Sequence, residues 1–218
     1  MKLKNILISI FLLGALLLTS SCKKGNGGLS NIDVTSQIND FPKETLNADE
    51  LSSLQLMREE EKLARDVYTV LYEKWKVNVF TNISSSEQKH TDAVLTLINK
   101  YGLTDPVASN AVGVFSDPKL QGLYTQLVTA GSASVLDAYQ VGATIEDLDI
   151  YDLKNALLKS DNQDIKYVFD LLSMGSRNHM RSFYSQIISL GSSYAAQFIS
   201  QAEIETIVTT SKETGSSW

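Results

Sequence analysis

Carboxylates and imidazoles recur in this chain at the spacing that puts them on one face of a helix. Read at alternating steps of three and four residues, Leu54, Met57, Ala64, Tyr68, Leu71 and Trp75 form an apolar stripe, and Glu61 falls on the same line. A second stripe, Ile83, Val94, Leu97 and Tyr101, carries Glu87 and His90. A third, Val135, Tyr139, Gly142 and Leu153, carries Glu146 and Asp149. A fourth, Ile165, Val168, Leu172 and Gly175, carries His179, so both histidines of the chain lie on core lines. Side chains at i and i+3 project to one point, and Glu87 and His90 have that spacing.

An ionised carboxylate in a core is costly unless something compensates its charge. One or two divalent cations would do so, with Glu61, Glu87, Glu146 and Asp149 as oxygen donors and His90 and His179 as neutral nitrogen donors. Two other readings stand beside this one. Glu59, Glu60 and Glu61 are consecutive, which also suits a solvated acidic face. The histidines also suit a polar, hydrogen-bonded core that holds no metal.

Helices must position these residues, and the sequence predicts an all-α fold. Only three prolines occur, and helix formers fill most of the chain after residue 50. A first helix is expected from Asn47, with Asn47 or Ser52 as cap, to about residue 75. A second starts near Ser84 to Ser86 and ends at Gly102. Residues 103–132, with Pro106 and Pro118, form a long crossover holding a short helical piece around 120–128. A third helix covers 133–151 with a continuation over 152–158, a fourth covers 163–190, and one more short helix covers 194–208. Two closely joined helices, a long crossover and two more closely joined helices predict an antiparallel four-helix bundle.

The hydrophobic share, 43%, is enough for one buried core and not obviously two, so a single domain over 47–210 is expected, with a disordered tail over 211–218. Residues 1–21 read as a signal peptide: Lys2 and Lys4 precede the apolar run 6–18, which is shorter than the roughly 20 residues a spanning helix needs. Cys22 is the only cysteine, so no intramolecular disulfide can form. The run LLTSSC resembles a lipobox, which implies acylation of Cys22 and a lipid-anchored flexible tether over 22–46, attached to the membrane of a bacterial cell envelope. The net charge of −6 and the lack of clustered Lys and Arg argue against nucleic acid as a partner.

The run EKLARDVY from Glu61, the segment SEQKH with Glu87 and His90, and the acids Glu146 and Asp149 resemble the ferritin-like superfamily, rubrerythrin-related members most closely. The stretches MREEEKLARDVY, SEQKHTDAV and GSRNHMRSF also resemble an uncharacterised ferritin-like domain family of bacteria and archaea. The resemblance implies a ferritin-like bundle with iron, or manganese or another divalent metal, and oxidant or metal handling by an iron-dependent oxidoreductase. It departs on the fourth helix, where Ser176 stands in place of the glutamate of a second Glu-x-x-His motif, so an unequal pair of metals, or a single one, is expected. Tyr68 and Tyr139 are placed about two turns from the site, as packing residues, ligand partners or carriers of an oxidising equivalent. No cysteine-rich iron site like that of rubrerythrin is present in the sequence, so catalysis would need an outside redox partner. The competing function is a non-catalytic surface lipoprotein whose bundle binds a partner.

Overall fold

Local signals start most of the helices. A computed structural model describes residues 33–214, and among these it contains seven helices and no strand. The expected signal peptide and the expected lipidation site Cys22 lie outside the described residues. In α2 (Ala48–Trp75) Asn47 and Glu50 form a reciprocal capping box. Lys76 then takes a left-handed conformation at φ 55°, and Val77 begins α3 (Asn78–Tyr101) at once. The start expected at Ser84 to Ser86 is therefore too late. Ser84 and Ser85 bond back to the Thr81 carbonyl inside the helix, an arrangement open to serine as readily as capping is.

The crossover contains α4 (Pro118–Gly131), capped by Asp117. Next, α5 (Val135–Lys159) takes the third helix and its expected continuation over 152–158 as one uninterrupted helix, and α6 (Gln163–Ser189) follows a short turn. The final helix α7 (Gln201–Thr209) is shorter than expected, because Asp147 captures residues 194–199 as a loop. The Asp147 carboxylate accepts from the Tyr194 hydroxyl and from the backbone N–H groups of Gln197, Phe198 and Ile199.

Two corrections concern the ends. The stretch expected as a flexible tether contains α1 (Val34–Asp40), which packs on α3 and α6 with Ile38 fully buried. Lys100 ties it down by donating to the carbonyls of Ile38 and Phe41. In the expected disordered tail, Glu213 is held by Arg177 and Arg181 of α6.

Cross-bundle contacts give the topology. Asn47 meets Lys159 and Asp161, Tyr68 meets Gly142 and Glu146, and Trp75 meets Gly131, so α2 and α5 run antiparallel. Tyr101 meets Asp164 while Phe80 meets Phe183, which makes α3 and α6 antiparallel as well. With the close pairs α2–α3 and α5–α6, these contacts close an antiparallel four-helix bundle whose crossover joins α3 to α5. Its apolar interior falls into two clusters. One contains Tyr68, Phe80 and Phe183, and the other Leu54, Leu97 and Phe169. The carboxylates and histidines of the four stripes belong to neither cluster.

Candidate metal centre

Helix α2 is covered on nearly every side around residues 58–62, and the three consecutive glutamates there point to three surroundings. Glu59 accepts from the backbone N–H groups of Ser116 and Asp117 in the crossover. Glu60 faces Asp152 of α5. Glu61 faces His90 of α3, its Oε2 lying 3.1 Å from His90 Nδ1. All three are buried, so the acidic run is not a solvated face.

Glu87 is the centre of the arrangement. Its Oε2 lies 2.7 Å from His90 Nδ1, and its Oε1 lies 2.8 Å from His179 Nδ1. On the far side, Glu146 Oε2 is 3.5 Å from His179 Nδ1, while the Tyr68 hydroxyl donates to Glu146 Oε1 at 2.5 Å. Two groups result, each with two carboxylates and one imidazole: Glu61, Glu87 and His90, and Glu87, Glu146 and His179. Within each group the possible ligand atoms lie within 4.8 Å of one another. The histidine rings stack with centroids 5.5 Å apart.

Asp149 is in neither group. It is buried beside them, and the charges of Glu61 and Glu146 act on its carboxyl. Ser176 is buried, with its hydroxyl returned to the Leu172 carbonyl of its own helix. Tyr68 contacts a candidate ligand directly, whereas Tyr139 stacks on Phe80 in the apolar cluster. A residue the stripes could not mark as functional is Gly175: a β-carbon there would sit 2.5 Å from the His90 ring, so the missing side chain makes room for the imidazole.

The electrostatics are those of acids sharing too few protons. Burial raises the Glu61 carboxyl to about 7, against the lowering pull of His90. Burial also raises Glu146 and, with the nearby acids, Asp149. Burial opposes ionisation of Glu87 too, but the imidazoles of His179 and His90 hold it well below the usual carboxylate range. Burial would lower both histidines, yet facing carboxylates raise His90 to about 9 and His179 to about 10.

A divalent cation fits this donor set. Glu87 Oε1, Glu146 Oε2 and His179 Nδ1 are buried without a hydrogen bond of acceptable geometry, although His179 and Glu87 are within ion-pair distance. Carboxylate oxygen with imidazole nitrogen suits iron, manganese or zinc.

A buried bundle core of shared glutamates and histidines defines a helical domain class, and the chain belongs to the family described as Uncharacterized protein domain (DUF2202), which it matches over residues 50–211. It is 52% identical over 178 residues to Uncharacterized protein MJ0754 of the archaeon Methanocaldococcus jannaschii, covering 82% of this chain and 96% of that one. The crystal structure of hypothetical protein MJ0754 is similar with a TM-score of 0.78, covering 79% of this chain and 98% of that chain.

Proposed function

We propose that this chain is a ferritin-like metal-binding bundle that holds two divalent cations, iron in the first place, for oxidant or metal handling. The observation that carries this reading is the sharing of Glu87 between two ligand groups of equal composition. Glu61, Glu87 and His90 would hold one ion, and Glu87, Glu146 and His179 the other. The antiparallel bundle with one long crossover supports the ferritin-like assignment. Bound iron would supply electrons to dioxygen or peroxide. The chain's own residues exclude bulk water, hold the ligands at one level and fix Glu146 through Tyr68.

Metal analysis of the purified chain after anaerobic loading with ferrous iron tests the proposal. About two ions per chain are expected, as in dinuclear carboxylate bundles. Glu87→Gln should lose both, and His90→Ala should keep the ion held by Glu146 and His179. A wild-type chain without bound metal, whose melting a chelator leaves unchanged, would overturn the reading.

That result would favour a metal-free polar core for partner binding. One observation supports this second reading: with both imidazoles raised above neutrality, protonated His90 and His179 can balance the facing acids themselves. We also propose, from the sequence of residues 1–22, that Cys22 carries a lipid anchor. Cys22→Ser should move the chain out of the membrane fraction, and retention there with unchanged mass would count against it. No described helix is long and apolar enough to cross a membrane.

A further inference from the structure

Several buried acids in this protein are saturated with donors. Glu50 accepts from the N–H groups of Asn47, Asp161 and Asn162. Asp66 accepts from Lys62, Arg65 and the Gly113 N–H. Asp164 pairs with Lys100 and Tyr101. Such acids anchor loops and helix ends, and their charge is compensated.

Glu60 and Asp149 are different. Glu60 Oε2 and Asp149 Oδ2 are buried with no hydrogen-bond partner among the described residues. Burial acts most strongly on both carboxyls, and the charges that act on them next are those of other acids. Glu60 faces the Asp152 carboxyl, and its charge also reaches Asp149. Asp149 and Asp152 lie one turn apart on α5, and Asp149 in turn couples to Glu61, Glu146 and Glu87. Exposure falls along this file, from the half-buried Asp152 through Glu60 at 5% and Asp149 at 3% to Glu61 at 1%. Burial and neighbouring acids raise both carboxyls, so each is protonated in the empty chain and would exchange its proton for a visiting cation.

We propose that Asp152, Glu60 and Asp149 form the route by which divalent cations pass between α2 and α5 to the two ligand groups. The proposal rests on the metal reading above. Each step offers oxygen donors, the ligand type that hard divalent ions accept as they shed water. Among the described residues, no three of these donors converge as the ligand groups do, so a cation would be attracted without being retained. A passage needs sites of that kind.

The test follows loading of the metal-stripped full chain with cobalt(II), read by its visible absorption in a stopped-flow mixer. Glu60→Gln and Asp152→Asn should slow loading about tenfold or more, the scale by which acid-lined clefts raise cation on-rates. Equilibrium cobalt per chain should stay at the wild-type value. Asp170→Asn, the same charge change at an exposed position of α6, should load like wild type. Because Asp152 is half-buried, its variant keeps the test decisive if Glu60→Gln fails to fold. Wild-type loading rates in the route variants would overturn the proposal. Reduced cobalt at equilibrium would also overturn it, by making these acids ligands. If wild type binds no cobalt, the metal reading itself falls and the route falls with it.

Discussion

Gly175→Ala tests the candidate metal centre through a single methyl group. The added carbon would stand 2.5 Å from Cε1 and Nε2 of His90, whereas ordinary contact begins at 3.4 Å, so the ring must retreat by roughly 0.9 Å. It has little room, with Glu61 and Glu87 at its Nδ1 and His179 stacked nearby. Metal–ligand distances tolerate only about 0.2 Å, so the Glu61, Glu87 and His90 group should lose its ion. Overpacking costs about 1–3 kcal/mol, while alanine in place of glycine returns about 0.5–1 kcal/mol of helix stability. The metal-free variant should therefore be less stable by up to about 2.5 kcal/mol. Gly122→Ala in α4, where a β-carbon meets nothing within 4 Å, is the control and should show only the helix gain. Urea unfolding of the stripped chains and metal analysis of the loaded ones are the assays. If Gly175→Ala bound metal with wild-type stoichiometry and affinity, His90 would not be a ligand in the position the structure gives it.

Two further outcomes follow from the same geometry. In the metal-free chain His90 and His179 are raised from 6.5 to about 9 and about 10, and Glu61 from 4.5 to about 7, so the folded state binds more protons than the unfolded one. The histidine contribution is complete below pH 6.5 and is lost as pH rises through 9 and 10; Glu61 acts in the same sense from 4.5 to 7. The melting temperature of the chelated chain should fall from pH 6 to pH 10, and a flat or rising profile would contradict these assignments. Tyr68→Phe removes the hydrogen bond to Glu146 and should cost about 1–3 kcal/mol in denaturant unfolding. It should also weaken the ion held by Glu146 and His179 more than its neighbour, which a metal titration would resolve.

Helical phase was legible in the sequence because it is local. Glu61, Glu87, His90, Glu146 and His179 could be put on core faces from the 3.6-residue repeat alone, and the structure places all five in one polar layer. The Asn47 cap and the stop at Gly102 were legible for the same reason. Serine defeated this reasoning at Ser84 and Ser85, since its hydroxyl bonds to a helix interior as well as to a helix start. Helix α1 was missed because its stability comes from Ile38 and Lys100 meeting across the fold, not from a repeat in its own seven residues.

The sequence by itself determined which residue types face inward: carboxylates and imidazoles on four stripes, with no other histidine to compete for a metal. Only the tertiary structure decided how those residues are shared. Glu87 reaches both histidines, Asp149 stands outside both groups, and Glu60 turns toward Asp152. These relations depend on the stagger and rotation of helices far apart in the chain. Close contacts such as Gly142 against the Phe183 ring and Gly175 against His90 set that stagger, and no helical repeat encodes it.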